Sequence, residues 1–344
     1  MILMHHCRSP PSFQSLNKQC SSLHQKSLKG SFFMSKKRFS KKLFYKYYRQ
    51  WISLYKENAI RRITLEKYQL VYRKLVELAP ELHMDELDRQ TYQALLNKYA
   101  ATHEHKTVLD FHHHLKAAIV DAVDDGLLEA DPTRRVTIKG RKPSKKKTKY
   151  LNLFELQSLL RQLNLTDEIS WDWFILLVAK TGLRYAEALA LTPADFDFEK
   201  QELIINKSWD YKSKTGGYQP TKNESSNRRV MIDWQLANQF KTLIQKKSLH
   251  ETIFVPHGKR VYNSTINKIL ERYCTRAGIP VISIHGLRHT HASILLLENV
   301  SVASVAKRLG HSNTTTTQQT YIHIIRELEN KDTDKVLQSL AKLS

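Results

Sequence analysis

The stretch 283–323, SIHGLRHTHASILLLENVSVASVAKRLGHSNTTTTQQTYIH, constrains this chain more than any other. It sets His285, Arg288, His311 and Tyr321 on a run of short expected helices. Each carries a polar head that is costly to bury unless it is bonded, so the fold must supply partners or a ligand for all four. As a set they suit chemistry on a phosphodiester. Arginine forks onto phosphate oxygens, imidazole moves or shares a proton, and a tyrosine hydroxyl can attack phosphorus to form a covalent intermediate.

Charge narrows the ligand further. The chain has 344 residues, room for two domains, and its formal net charge is +22. Such an excess points to a polyanion, nucleic acid first, because neutralising phosphates releases counterions whatever the base sequence. No apolar run approaches the length of a membrane-spanning helix and no lipidation motif occurs, so a membrane partner is not expected. The three cysteines, Cys7, Cys20 and Cys274, are scattered and odd in number, which suits a reducing cytosol and forms neither a disulfide framework nor a thiolate metal cage.

Taken in order, residues 1–38 are rich in Ser, Lys, Gln and His, contain no Asp or Glu, and are expected to be disordered. A helical bundle is expected over 39–138. Its first helix carries Phe44, Tyr47, Tyr48, Trp51, Leu54 and Tyr55 at helical spacing, read as core and not as base-stacking platforms. A second is expected to be capped by Thr64, a third runs from about Arg89 to Ala100, and a fourth starts after Thr107 and ends near Gly126. The run His112, His113 and His114 points around that fourth helix in three directions, so a solvated or DNA-facing surface is expected there and not a metal site. Residues 139–149 form a Lys-rich connector, in which Lys145, Lys146 and Lys147 are expected to lie along a phosphate backbone.

From 150 to 344 the pattern becomes mixed. A helix capped by Asn152 is followed by a nearly all-apolar one from Trp171 to Lys180, broken by Gly182. Arg184 and Glu187 then lie three apart on a new helix; alone they would be an ordinary surface ion pair, but their place beside a buried helix implies partial desolvation. ELIINKSWDYK and RRVMI read as strands of a hairpin or small three-stranded sheet around a Lys-rich loop. Lys207, Lys212, Lys214 and Lys222 all compete for any catalytic task in that loop, and spacing does not choose among them. Helices resume at Trp234–Lys246 and Asn263–Ala277. His285 and His289 have the i, i+4 spacing of a zinc hydrolase but lack the Glu after the first His, so His285 and Arg288 are read as converging on one phosphate. The fold class is therefore mainly α with a small antiparallel sheet, α+β.

These residues resemble the tyrosine recombinases, in particular the integrases of phages and of conjugative or pathogenicity-island elements in Gram-positive bacteria. TGLRYAEALAL is similar to the family's first arginine box, HGLRHTHAS to its His-x-x-Arg box, LGHSNTTTTQQTYIH to its last box, and PTKNESSNRRVMI to the hairpin that carries its lysine. The resemblance implies a core-site DNA-binding bundle followed by a catalytic domain with a C-terminal tail. It implies that Arg184 and Arg288 clamp the scissile phosphate, that His285 and His311 hydrogen-bond or transfer protons, that Lys222 is the general acid, that Tyr321 is the nucleophile and that Glu187 orients Arg184. It further implies double-stranded DNA with core-type sites as the substrate, a homo-tetramer on paired sites, DNA-bending or directionality factors as partners, and a bacterial cytoplasmic setting. The tail stripe Val336, Leu337 and Leu340 would dock on a neighbouring subunit. Many members carry a further arm-binding domain at the N-terminus, which the first forty residues look too short to form.

Two guanidiniums can do what other phosphoryl-transfer sites assign to Mg²⁺, and no acidic cluster suited to magnesium occurs, so neither metal nor cofactor is expected. The expected activity is integration and excision of a mobile element through a 3′-phosphotyrosine. The alternatives are a type IB topoisomerase and a DNA-binding protein with inert boxes.

Overall fold

The computed structural model describes residues 41–142, 148–213 and 215–322. The expected disordered segment 1–38, Lys145, Lys146, Lys147, Lys214 and the tail stripe at 336–340 lie outside the described residues. The chain divides into two units, Met1–Lys145 and Lys146–Ser344.

The first unit is a helical bundle built on aromatic side chains. Helix α1, Phe44–Tyr55, buries Phe44, Tyr47, Tyr48 and Trp51, which recur at intervals of three and four and so share one face. Helix α2, Arg62–Leu78, turns Val71 and Leu75 inward, and α3, Arg89–Ala100, begins where the Asp88 carboxylate accepts the Thr91 N–H at 2.7 Å. Helix α4, His105–Asp124, is the spine against which α1 packs. Two aromatic polar heads are satisfied across that contact: Tyr47 Oη donates to the Ala118 carbonyl at 3.0 Å and Trp51 Nε1 to Asp121 at 2.6 Å.

Two expectations for this unit need correcting. Thr64 is not a cap: its N–H already bonds the Arg61 carbonyl, so it sits inside the first turn of a helix that starts at Arg62. His112 does not face solvent or DNA; it is buried with its Nδ1 at 3.0 Å from the Tyr92 hydroxyl, because its position falls on the same stripe as Val108, Leu115 and Ile119. His113 is exposed, and His114 packs its ring on Tyr68.

The second unit is arranged around α6, Trp171–Thr181, whose residues are almost all buried. Ser170 caps its start, and Gly182 ends it in the left-handed region at φ +68°. Before it lies α5, Leu153–Leu160, opened by a reciprocal capping box between Asn152 and Glu155. After it come α7, Tyr185–Leu189, and the strands β1, Phe196–Asp197, β2, Glu202–Ile205, β3, Lys207–Trp209, β4, Tyr218–Pro220, and β5, Arg228–Met231.

The strand run expected from Glu202 onward splits at Asn206 between two sheets. One is antiparallel in the order β1-β2-β5, with Leu203 opposite Val230 and Ile205 opposite Arg228; the other is the β3–β4 hairpin. Helices α8, Trp234–Leu243, and α9, Asn263–Arg276, complete the core wall. Helix α10, Ile284–Leu297, packs along α6, and α11, Val302–Leu309, packs on α10 and β5. A last helix, α12, is described over 314–322. None of the helices among the described residues is long and apolar enough to cross a membrane.

Candidate active site

Three guanidinium groups from three different elements converge on the end of α11. Arg228 Nε donates to the Arg308 carbonyl at 2.7 Å, Arg288 Nη2 to the Leu309 carbonyl at 2.6 Å, and Arg184 Nη2 to the Gly310 carbonyl at 2.8 Å. These are successive carbonyls at a helix C-terminus, which lack intrahelical partners and carry the negative end of the helix dipole. Gly310 makes the arrangement possible: it stops α11 at φ +68°, and a Cβ there would come within 3.0 Å of the Arg228 guanidinium.

Each arginine is placed by its own element. Arg184 is the residue just before α7, so its backbone N–H and its Nη1 both reach Glu187, at 3.0 and 2.6 Å. Arg228 opens β5 and points to the same side as the buried Val230 two residues on, where Nη2 meets the other Glu187 oxygen at 2.9 Å. Arg288 lies one turn into α10, 3% exposed, with Nη1 on the Gly182 carbonyl at 2.8 Å. Glu187, also 3% exposed, is thus a carboxylate shared by two arginines.

The electrostatics follow from that count. Burial alone would raise the Glu187 pKa, but Arg228 and Arg184 outweigh it and hold the carboxyl below its usual range. Arg288 is pushed down to about 9 by burial and by the like charge of Arg184, with Glu187 opposing. Among the described residues, three cations near one carboxylate leave the site short of negative charge, and a phosphodiester would supply it.

The histidines divide by surroundings. His291 is fully engaged: its Nδ1 lies 3.0 Å from the Ala179 carbonyl and its Nε2 accepts from Arg308 Nε at 2.9 Å. That fixes the neutral tautomer with the proton on Nδ1, in keeping with a pKa driven down to about 3 by burial and by Arg308. Gly182 tolerates no side chain beside it, since a Cβ would meet the His291 ring at 2.7 Å. His311 follows the α11 stop and is tied through Nδ1 to Thr317 Oγ1 at 2.7 Å. Burial and the charges of Arg288, Arg184 and Arg228 push it down to about 4. His285 keeps an exposed edge on α10, and loss of water around the rest of its ring, with Arg288 and Arg184 nearby, lowers its pKa.

Tyr321, on α12, is 2% exposed and packs among Ala292, Leu296, Val305 and Leu309. Burial raises its phenol to about 12, against the pull of Arg288. Its hydroxyl lies 2.9 Å from His289 Nδ1.

Arg184, Glu187, His285, Arg288, His311 and Tyr321 therefore lie near enough for their charges to act on one another or on a shared neighbour. Lys222 stands apart. It is exposed on the loop after β4, with no hydrogen bond or ion pair among the described residues, although its loop is tied to the site where Arg184 Nη1 reaches Ser226 Oγ at 3.4 Å. Of its competitors, Lys207 is held by Asp195 at 2.5 Å.

Two site residues escaped the sequence reading. The sequence places Arg228 in an expected strand, and alternation from the buried Val230 turns it inward. His289, whose spacing from His285 suggests only a zinc ligand, meets the Tyr321 hydroxyl instead, and among the described residues no cluster of three or more His, Cys, Asp or Glu is arranged to hold a metal ion.

The model of the phage integrase family matches residues 149–327. The integrase of Staphylococcus phage L54a is 27% identical over 286 residues, covering 73% of this chain and 80% of that protein. The tyrosine recombinase XerD of Staphylococcus haemolyticus is 27% identical over 291 residues, covering 78% and 90%. Among solved structures, the Tn1549 transposon integrase in complex with a circular intermediate DNA superposes with a TM-score of 0.70 at 16% identity, over 84% of this chain and 99% of that one, a likeness of fold. The family model spans more than half of the chain, and this protein accordingly belongs to the phage integrase family, the site-specific DNA recombinases of the tyrosine type.

Proposed function

We propose that this protein integrates and excises a mobile DNA element by cutting and rejoining paired core-type sites through a 3′-phosphotyrosine at Tyr321. The observation that carries the reading is the trio of guanidinium groups around the single Glu187 carboxylate, beside His285 and His311 and in charge contact with the phenol. Arg184 and Arg288 would hold the non-bridging oxygens, where charge accumulates in the transition state. The phenol oxygen forms a bond to phosphorus as the bond to the 5′-oxygen breaks, and Lys222 gives that oxygen its proton. Because a tyrosyl phosphodiester retains the energy of the broken linkage, a 5′-hydroxyl of another strand can reverse the step without ATP. The exposure of Lys222 fits an acid that engages only once DNA lies across the site.

A groove of about 1110 Å³ between β5 and α11 has polar and charged walls, reaching Arg228 and His311, around an apolar strip of Met231, Val300, Ala303 and Ala306, and that strip would take the Val336, Leu337 and Leu340 stripe of a neighbouring subunit, in line with a tetramer on paired DNA sites. The Tn1549 and lambda integrase structures hold DNA, and double-stranded DNA is proposed as the substrate here.

The test is cleavage of labelled DNA ends on a denaturing gel, together with supercoiled plasmid carrying or lacking two sites. The parent should form a covalent adduct and recombine paired sites, and Tyr321→Phe should bind DNA and form no adduct. Relaxation of plasmid without recombination would instead make the protein a topoisomerase.

A further inference from the structure

We propose that His289 is a catalytic residue of this reaction, the group that accepts the phenolic proton of Tyr321. The inference rests on Tyr321 as the nucleophile and goes beyond it, since strand cleavage needs the phenol to lose a proton and none of the three arginines can take one.

Geometry singles out His289 among the imidazoles. Its Nδ1 stands 2.9 Å from the phenol oxygen, the one hydrogen-bond partner of that hydroxyl among the described residues. His311 has Nδ1 committed to Thr317, and both His291 nitrogens are engaged elsewhere. His285 meets His289 edge to face at 4.8 Å between ring centroids and has no hydrogen bond to the phenol among the described residues.

The groups around His289 keep it neutral and therefore able to accept. These are Arg288 and His285 on its own helix, Lys149 from the segment before α5, His311 after α11 and Tyr321 itself. Burial first, then His285, Arg288 and Lys149, push its pKa down to about 4, while burial holds the phenol near 12. A resting phenol does not surrender its proton across that gap, so the nucleophile stays protonated until substrate arrives. Two changes then narrow it. Bond formation to phosphorus makes the phenol oxygen far more acidic, and the phosphodiester anion offsets the Arg288 charge that depresses the imidazole. In the complete step the Tyr321 O–H bond breaks as the O–P bond forms, and Nδ1 takes the proton to give an imidazolium. The P–O5′ bond breaks as its oxygen receives a proton from Lys222. Religation returns both protons.

The test compares single-turnover adduct formation by the full-length parent, His289→Asn, His289→Ala and Lys222→Ala. Each is assayed on ordinary DNA and on DNA with sulfur in place of the bridging 5′-oxygen, a leaving group that departs without a proton. DNA binding is followed alongside as a check on folding. His289→Asn keeps a polar group near the Nδ1 position but cannot take a proton. Both His289 variants should bind DNA like the parent and cleave roughly 10²–10⁴-fold more slowly on both substrates. Added imidazole should restore part of the His289→Ala rate, and Lys222→Ala should recover on the sulfur substrate alone. His289→Asn cleaving within threefold of the parent, or faster, overturns the assignment and leaves the contact a resting latch. Recovery of His289→Asn on the sulfur substrate overturns it too, since the residue would then act on the leaving group. An adduct that survives Tyr321→Phe instead removes the nucleophile, and this inference falls with it.

Discussion

Helices α4 and α10 are both rich in histidine, and they handle it in opposite ways. On α4 the three adjacent imidazoles disperse: His112 goes inward to the neutral Tyr92 hydroxyl, His113 outward to water, and His114 sideways onto Tyr68. Each polar head there is closed off locally. On α10, His285, Arg288 and His289 lie three and four apart on one side and face groups brought from α7, β5, the α11 stop and α12. The charge there does not close, since Arg184 and Arg228 are paired to the same Glu187 carboxylate and Arg288 beside them bonds only backbone carbonyls among the described residues. The contrast teaches that a buried histidine is not by itself a sign of chemistry. A buried cluster whose charges fail to cancel is, because folding alone gains nothing by leaving it so.

The largest effect is expected from removing the unbalanced charge on α10. Arg288→Ala should lower single-turnover cleavage by roughly 10³–10⁵-fold, the range for an arginine that stabilises transferring phosphoryl charge, while DNA retention in a mobility assay stays near the parent's. A loss of less than tenfold would mean that Arg288 is structural, as the imidazoles of α4 are.

Arg228→Met sharpens the distinction between holding the site and working in it. This side chain bonds Glu187 and the Arg308 carbonyl, and removing one member of a buried ion pair costs about 3–5 kcal/mol. Denaturant unfolding should show that loss in the second unit, with a fall in cleavage that a stabilising osmolyte partly restores. The same unit should be acid-sensitive. His291 and His311 have folded pKa values of about 3 and 4, below that of the unfolded chain, so their contribution is complete above about 6.5 and is lost as pH falls through the folded values. Stability followed from pH 7 to pH 4 should decline, and His291→Leu should flatten that slope while costing stability at pH 7 through the unpaired Ala179 carbonyl and Arg308 Nε.

The smallest effect is expected on α4. His112→Leu leaves the Tyr92 hydroxyl without its partner, a cost of about 1–3 kcal/mol in the first unit, and cleavage per correctly folded molecule should not change. A drop in the chemical rate would mean that the two helices are less different than their surroundings imply.

Much of the architecture was legible before any coordinates. The aromatic stripe of α1 and the apolar run of α6 announce their helices by period, and Gly182 marks the stop of α6 because only a residue free to adopt positive φ ends a helix there cheaply. Less legible were features that depend on partners remote in sequence. Asn206 parts β2 from β3 although the residues on both sides read as one strand, since which sheet a strand joins is set by its neighbours. His112 is polar by type yet holds a position on a buried stripe, and the packing of that stripe decides its burial.

For the site, residue types and spacing alone set out a cationic group of arginine, imidazole and phenol suited to a phosphodiester, because that pairing of chemistries has few other uses. Which imidazole meets the phenol, which lysine is tied down by a carboxylate, and that Arg228 joins Arg184 and Arg288 on the carbonyls of 308, 309 and 310 were decided only by the tertiary structure. Chemical character travels with a residue wherever the chain carries it. Hydrogen bonds do not, since their reach is about 3 Å and their partners here lie up to 139 positions apart, so only the packed fold can choose them.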